Sequence, residues 1–243
     1  GGERPESGVP LGIGYLLTNC PGASVEYVRD RHDLRDCDLI GLSATACGIP
    51  EAINILTSTQ IPVIIGGQAT LWEGLKDYPF SYLVSGDGEP ALQEILFGHP
   101  EREIISEQVI LDDLNFPERG ELYSGKVPMM TSRGCPFHCA FCSSSEYWGT
   151  TRYISAERFI AEVGDILANY KDASWLYIMD DLFVADRKRF NHIHDLWMSG
   201  GYNKKLRLWS FVRAGVFDLD MAKKMKEMGF KSVRFGAESG SDR

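Results

Sequence analysis

Apolar and polar residues alternate along the first half of the chain in a way that predicts strands and helices in turn. Short apolar runs predict strands at residues 24–28, 39–43, 62–65 and 82–84. The last three contain mostly Val, Ile and Leu without interruption, which is typical of strands buried on both faces of a parallel sheet. Helices are predicted after Pro10, after Pro50 and from Pro90 to Phe97. This alternation predicts an α/β fold.

The same alternation returns in the second half of the chain. Strands are predicted at residues 127–131, 175–179, 206–212 and 233–236, and helices at residues 187–198 and 220–228. After the first of these strands, Ser155 is a typical N-cap for a helix with Phe159, Val163 and Ile166 on its apolar face. The pattern predicts a series of βα units, and ligand sites in such folds lie beyond the carboxyl ends of the strands.

Residues 98–126 interrupt this rhythm. Charged residues and turn-forming residues dominate there, most clearly between Leu111 and Pro117. We therefore predict an interdomain connector at residues 98–126. The predicted domains on either side of it are residues 1–97 and residues 127–243.

Charge and hydropathy exclude some classes of partner. Lys and Arg total 25 and Asp and Glu total 34, which gives a formal net charge of −9. Such an acidic chain lacks the basic surface that duplex nucleic acid requires. No apolar run approaches the ~20 residues that span a bilayer, and the run from Leu11 to Leu17 lacks the basic leader of a signal peptide. We therefore expect no membrane segment and a cytoplasmic location.

The six cysteines are distributed unevenly, because Cys135, Cys139 and Cys142 lie within eight positions. In a reducing compartment such a group indicates a metal or redox centre rather than disulfides. Three thiolates with C-x-x-x-C-x-x-C spacing can hold three irons of a 4Fe–4S cluster and leave the fourth iron open to a cofactor or substrate. The alternative is a zinc site completed by His138, although its position next to Cys139 makes chelation of one ion by both residues cramped.

The segment from Ser132 to Ser143 resembles the signature of the radical S-adenosylmethionine (SAM) superfamily, in which an aromatic residue precedes the last cysteine, as Phe141 does here. The resemblance implies a TIM-type barrel and a 4Fe–4S cluster whose open iron chelates the amino and carboxylate groups of SAM. One electron from the cluster cleaves the sulfonium, and the resulting 5′-deoxyadenosyl radical abstracts a hydrogen atom from substrate. A reductant such as flavodoxin or ferredoxin is implied as a partner.

Further residues at predicted strand ends match SAM-binding elements of this superfamily. Asp180 and Asp181 occupy the place of the element that contacts the methionine amino group, and Glu238 that of the residue that binds the ribose hydroxyls. Arg213 ends a predicted strand, where its donors can meet a carboxylate. Together with Phe141, these residues are the expected SAM contacts. The alternatives are acidic residues that favour a helix N-terminus and an arginine with no role beyond the surface.

The first half of the chain resembles the cobalamin-binding-type domain that precedes many radical SAM barrels and has a Rossmann-like, flavodoxin-like sheet. The resemblance implies that one hydroxyl and several glycines line the loops that face cobalamin, since glycine permits close approach of the backbone. These residues are Ser43, Gly66, Gly67, Gly86 and Gly88.

Two departures from that pattern leave cobalamin binding open. The histidine-ligating pattern Asp-x-His-x-x-Gly is absent, because Asp30 and His32 are followed by Arg35 in place of the glycine. The first strand of the domain also has no counterpart in residues 1–9. The alternative is a Rossmann-like docking domain without a cofactor.

We therefore expect a radical SAM enzyme that transfers a methyl group or forms a ring at an unactivated carbon with the help of cobalamin. Its substrate would be a small molecule or a peptide. The alternatives are a cobalamin-independent enzyme that transfers methylthio groups or abstracts hydrogen, and a non-enzymatic iron–sulfur or zinc scaffold. At roughly 30 residues per βα unit, residues 127–243 hold about four units and not a whole barrel, so we expect a fragment that is inactive alone.

Overall fold

The computed structural model describes residues 8–28, 34, 37–98, 100–122 and 125–240. These residues form two compact units, of which the first is Val9–Glu118 and the second consists of Gly8 and the described residues from Arg119 onward. Each unit is built around a four-stranded parallel sheet with helices. The α/β class that the alternating pattern predicts is therefore confirmed.

The sheet of the first unit has its strands side by side in chain order, all parallel. The strands are β1 (Ile40–Ser43), β2 (Val63–Gly66), β3 (Tyr82–Ser85) and β4 (Glu103–Ile105). The helices are α1 (Leu11–Asn19), α2 (Ile49–Ser58) and α3 (Gly88–Phe97). All three predicted helices, and the strands predicted from the uninterrupted apolar runs, are present with small shifts at their ends.

Both faces of this sheet are buried, which explains the uninterrupted apolar runs. On one face, Val63 and Ile65 of β2 pack in one apolar cluster with Leu56 of α2. On the other face, Ile64 belongs to a second cluster with Ala91 of α3. Because successive side chains of a strand point to opposite faces, three consecutive apolar residues contribute to both clusters.

Two parts of the first unit differ from the sequence-based expectation. Residues 24–28 do not form a strand, and none of them is buried, so no apolar face holds them in a sheet. Conversely, the edge strand β4 lies within residues 98–126, the predicted connector, and pairs with β3. Of its apolar residues only Ile104 is buried, whereas Ile105 is 91 % exposed. This strand therefore lacks the apolar run that would have predicted it.

The second unit repeats the strand–helix alternation. Its strands are β5 (Lys126–Met129), β6 (Ser132–Arg133), β7 (Arg152–Tyr153), β8 (Trp175–Ile178), β9 (Arg207–Phe211) and β10 (Phe230–Arg234). Its helices are α4 (Ser144–Trp148), α5 (Ala156–Asn169), α6 (Arg187–Ser199) and α7 (Leu219–Met228). Strands β5, β8, β9 and β10 form one parallel sheet in this order. This order is that of part of a TIM-type barrel, as predicted, although β10 begins before its predicted start at Val233.

One face of the second sheet contributes to an apolar core. Leu176 and Ile178 of β8 are completely buried, as are Phe159 of α5 and Trp197 of α6. The rings of Phe159 and Trp197 lie 5.9 Å apart. This packing holds the sheet together. Because its strands are parallel, their carboxyl ends lie at one edge, and the predicted site residues come directly after these strand ends.

Three helices of the second unit begin at a side-chain cap. The Ser155 side chain accepts a hydrogen bond from the backbone N–H of Arg158 at 3.0 Å, as the sequence predicts. Asp186 and Asp218 cap α6 and α7 in the same way. Of the described helices, α5 is the longest with 14 residues, and none is long and apolar enough to cross a bilayer.

A short antiparallel ribbon, which the sequence does not predict, encloses the cysteine motif. Ser132 of β6 pairs with Tyr153 of β7, and Arg133 pairs with Arg152. The ribbon closes a loop of residues 134–151 that contains all three clustered cysteines. Strands of two residues are too short to show a periodic pattern, so the sequence carries no signal for them.

Candidate active site

The loop of residues 134–151 depends on a glycine for its first turn. Gly134 has a φ of +91°, and a Cβ atom there would lie 3.1 Å from both the carbonyl oxygen of Thr150 and the Cβ of Trp148. Both the φ and the crowding disfavour any side chain. Further along, the N–H of Cys142 donates to the carbonyl oxygen of Cys139 at 2.9 Å. This hydrogen bond folds the last two cysteines of the motif into one turn.

The three cysteines of this loop are free thiols that reach the surface. Cys135 and Cys139 are half-buried, and Cys142 is exposed. Burial raises the pKa of the Cys135 thiol above its ordinary value, a backbone hydrogen bond with Phe137 opposes this rise, and the carboxylate of Asp181 adds to it. The thiols are therefore accessible to a metal without any disulfide having to be broken.

This donor set fits an iron–sulfur cluster better than a single metal ion. In the part of the chain that the structure describes, no group of three His, Cys, Asp or Glu side chains is arranged to hold one metal ion. A zinc ion needs its ligands to converge within about 2.0–2.3 Å of one point. In a cluster each cysteine binds a different iron, so the sulfurs need not converge. The described residues therefore form no zinc site with His138 in this structure.

Arg213 lies against the cysteine loop. It follows β9, and its Nη1 donates a hydrogen bond to Sγ of Cys139 at 3.0 Å. Its guanidinium carbon lies 4.1 Å from the centre of the Phe137 ring, which is a close cation–π contact. The residue that the resemblance places near a SAM carboxylate therefore contacts a predicted cluster ligand directly.

Asp180 is buried beside the residues that lead into the loop. Its carboxylate accepts hydrogen bonds from the backbone N–H and the hydroxyl of Thr131 and from the N–H of Ser132, the last at 3.0 Å. Burial raises the pKa of Asp180, and the charge of Arg189 and these hydrogen bonds oppose the rise. Asp180 therefore connects the carboxyl end of β8 to the segment between β5 and β6.

Asp181 and Phe141 are accessible at the same edge. The exposed carboxylate of Asp181 accepts a hydrogen bond from the hydroxyl of Ser144, the first residue of α4. The side chain of Phe141 is 71 % exposed, although it is large and apolar. Both side chains can therefore reach a molecule that binds beside the cysteine loop.

Glu238 lies in the exposed segment 235–240 that follows β10. Its φ is +57°, the only positive φ of a residue other than glycine among the described residues. Such a conformation is uncommon for a residue with a Cβ and is found most often at turns and functional sites. Its place beyond a strand end agrees with the expected edge of the sheet.

The second unit thus brings several predicted residues to one edge. Arg213 contacts Cys139 of the cysteine loop, Asp181 contacts helix α4 within that loop, and Asp180 connects the end of β8 to the residues that lead into the loop. No prediction from the sequence named the partners of these residues as site residues. They are Thr131, Phe137, Ser144 and Arg189. Phe137 is within the cysteine motif and Ser144 directly follows it, whereas Arg189 has no sequence signal.

The predicted cobalamin-facing residues of the first unit lie at the carboxyl edge of its sheet. Ser43 is exposed at the end of β1. Gly67, directly after β2, has a φ of +84°, and a Cβ atom there would lie 2.6 Å from the carbonyl oxygen of Ala44. Gly66 has no such constraint, because its Cβ would lie 3.5 Å from the nearest atom. The close approach at Gly67 is therefore made by the unit's own backbone.

At the remaining glycines of this edge, atoms of the same unit also occupy the space where a side chain would lie. At Gly86, with a φ of +98°, a Cβ atom would lie 3.2 Å from the carbonyl oxygen of Ser106, and at Gly88 it would lie 3.1 Å from the Leu16 side chain. Gly67, Gly86 and Gly88 therefore each have a structural reason within the unit itself. Asp30, His32 and Arg35 lie outside the described residues.

The cysteine loop and the sheet that carries it match a known family. Residues 129–243 match the model of the Radical SAM superfamily. The second unit is therefore similar to that superfamily over these residues. The match covers the cysteine motif and every parallel strand from β8 to β10, so the radical SAM resemblance inferred from the sequence is confirmed.

Curated relatives of this chain include methyltransferases and a cyclase by name. An uncharacterized methyltransferase of Pyrococcus horikoshii, PH0819, is 26 % identical across 98 % of the chain and 62 % of the relative. Cytidylyl-2-hydroxyethylphosphonate methyltransferase of Streptomyces wedmorensis is 28 % identical across 51 % of the chain and 22 % of the relative. Anaerobic magnesium-protoporphyrin IX monomethyl ester cyclase of Cereibacter sphaeroides is 24 % identical across 47 % of the chain and 19 % of the relative.

A solved structure has the same fold over most of the chain. It is the cobalamin-dependent S-adenosylmethionine radical enzyme OxsB with aqua-cobalamin bound. The TM-score is 0.58 at 19 % identity, and the match covers 84 % of this chain and 36 % of that one. The chain described here therefore spans less than two thirds of each of these proteins.

Proposed function

We propose that this chain is the part of a radical SAM enzyme that binds the iron–sulfur cluster and SAM. The observation that carries the proposal is the loop of residues 134–151, in which three accessible thiols lie within the region that matches the superfamily. Cys135, Cys139 and Cys142 would hold three irons of a 4Fe–4S cluster. When bound, the cluster supplies the electron that cleaves SAM reductively into methionine and a 5′-deoxyadenosyl radical.

The other side chains at this edge have separate proposed tasks. Phe141 offers an exposed aromatic face to SAM, and the exposed carboxylates of Asp181 and Glu238 offer acceptors to its amino and hydroxyl groups. Arg213 brings a positive charge to the same place. Asp180 is a positioning residue in this proposal, because its buried carboxylate accepts a hydrogen bond from the backbone N–H of Ser132, just before the loop.

The proposed reaction is methyl transfer or ring formation at an unactivated carbon. The names of the methyltransferase and cyclase relatives support this choice of reactions. We propose a small molecule or a peptide as the substrate and flavodoxin or ferredoxin as the electron donor. Because thiolate ligands survive best where thiols stay reduced, we propose a cytoplasmic location.

The proposal that the enzyme uses cobalamin rests on the fold of the first unit alone. The structural neighbour that covers 84 % of the chain has aqua-cobalamin bound. The glycines at the carboxyl edge of the first sheet add no independent support, because atoms of the unit itself lie close beside Gly67, Gly86 and Gly88, and Gly66 shows no close approach. Retention of cobalamin by the purified protein after desalting would support its use, and a protein that binds cluster and SAM but no cobalamin would favour a cobalamin-independent enzyme.

Reductive cleavage of SAM tests the proposed function. The whole protein, and not residues 1–243 alone, should be reconstituted anaerobically with iron and sulfide, mixed with SAM and dithionite, and assayed for 5′-deoxyadenosine. We expect release of 5′-deoxyadenosine that depends on the cluster and on the reductant. A protein that assembles the cluster and binds SAM without releasing this product would contradict the proposal and favour a non-enzymatic iron–sulfur scaffold.

A further inference from the structure

We propose that Arg213 raises the reduction potential of the cluster by donating a hydrogen bond to Sγ of Cys139. The inference rests on the proposed function, because it requires Cys139 to be a cluster ligand. Nη1 of Arg213 lies 3.0 Å from Sγ of Cys139. Arg213 is then a positioning residue that acts on the reaction through a cluster ligand.

A second contact fixes the guanidinium in this place. Its central carbon lies 4.1 Å from the centre of the Phe137 ring. Phe137 lies between Cys135 and Cys139 in the loop, so the hydrogen bond and the cation–π contact both join Arg213 to the same segment. Long side chains lose conformational entropy when a hydrogen bond holds them. The stacking on Phe137 reduces that loss at the Cys139 contact, because it already orients the planar guanidinium.

The effect on the potential follows from charge. Reduction adds one electron to the cluster, and part of the added negative charge lies on the cysteine sulfurs. A cationic donor at one sulfur stabilises the reduced state more than the oxidised state, and hydrogen bonds to the sulfurs are a recognised control of cluster potential. A higher potential makes the cluster easier to reduce by a protein electron donor.

This role differs from the expected contact between Arg213 and the SAM carboxylate. An arginine that only binds the carboxylate affects SAM affinity but leaves the potential of the cluster unchanged when SAM is absent. An arginine that donates to Sγ changes the potential without SAM. The guanidinium has five N–H donors, so a contact with SAM does not remove the bond to Cys139, and the two roles are separated by omitting SAM.

The test is a redox titration of the reconstituted protein without SAM, followed by the electron paramagnetic resonance signal of the reduced cluster. The variants are Arg213→Gln, which removes the charge, and Arg213→Lys, which keeps it without the planar fork. The matched control is Arg207→Gln, because Arg207 lies at the other end of β9 with its guanidinium 5.5 Å over Trp175. Iron content is measured for every variant.

For Arg213→Gln we expect the ratio of reduced to oxidised cluster at a fixed potential to fall about tenfold, which is about 59 mV for a one-electron couple. Arg213→Lys should lie between this variant and wild type, and Arg207→Gln should match wild type. An Arg213→Gln protein with full iron content and the wild-type potential would overturn the inference. If that variant binds no cluster, a wild-type potential in Arg213→Lys overturns it instead. A wild-type protein without any cluster would contradict the proposed function itself.

Discussion

The carboxyl edges of the two sheets are built from the same kind of element and are used differently. At the first edge, the glycines after β2 and β3 are occupied by the unit's own atoms, such as the Ala44 carbonyl beside Gly67. At the second edge, side chains converge on a loop with accessible thiols, and Arg213 reaches Cys139 from a strand end. A glycine indicates only that another group approaches the backbone closely. A cysteine, arginine or carboxylate in contact shows which chemistry is available.

The largest effect should come from the second edge, at Asp180. Replacement by Ala leaves the buried N–H groups of Thr131 and Ser132 without their acceptor, and each such group costs about 1–3 kcal/mol. We expect Asp180→Ala to lower the free energy of unfolding by about 3 kcal/mol, measured by urea denaturation followed by tryptophan fluorescence.

The neighbouring Asp181 provides a matched control for this prediction. It is exposed and accepts one hydrogen bond from Ser144. We expect Asp181→Ala to cost about 1 kcal/mol or less. If Asp180→Ala were no more destabilising than Asp181→Ala, Asp180 would not be the buried connection between β8 and the segment that precedes the cysteine loop.

A smaller effect is expected at the first edge, at Gly67. A side chain there has to adopt a positive φ and would place its Cβ 2.6 Å from the Ala44 carbonyl oxygen. We expect Gly67→Ala to lower the free energy of unfolding by about 2 kcal/mol, measured in the same way.

Gly66 is the control in this case, because its Cβ would make an ordinary contact at 3.5 Å. Gly66→Ala should change stability by about 0.5 kcal/mol or less. If Gly67→Ala left stability unchanged but abolished cobalamin retention, the glycine would serve a ligand, and the contrast between the two edges would fail.

Much of the scaffold could be predicted because its signals are local. The helix that begins after Ser155 has both a cap and an apolar face of Phe159, Val163 and Ile166, and the structure confirms it. Strand β2 was predictable because three consecutive apolar residues serve two cores. The ribbon of β6 and β7 and the edge strand β4 were not predictable, because such short strands bury too few residues to form a pattern.

The candidate site was predictable in its residue types and not in its contacts. The cysteines form a local motif, so spacing was enough to single them out. The partners are distant in sequence. The hydrogen bond between Thr131 and Asp180 joins residues 49 positions apart, and the one between Arg213 and Cys139 joins residues 74 positions apart. Such pairs are brought together only when the parallel strands align their carboxyl ends. A sequence shows that Asp180 and Asp181 are adjacent, but only burial shows that they have different tasks.

Iron content in matched cysteine variants decides whether the second edge holds the cluster. Cys139 lies in the loop of residues 134–151, whereas Cys47 is an exposed cysteine that follows β1 at the first edge. After anaerobic reconstitution, wild type and Cys47→Ala should contain about four irons per chain and show the signal of a reduced 4Fe–4S cluster. Cys139→Ala should lose both. Unchanged iron content and signal in Cys139→Ala would show that Cys139 is not a cluster ligand.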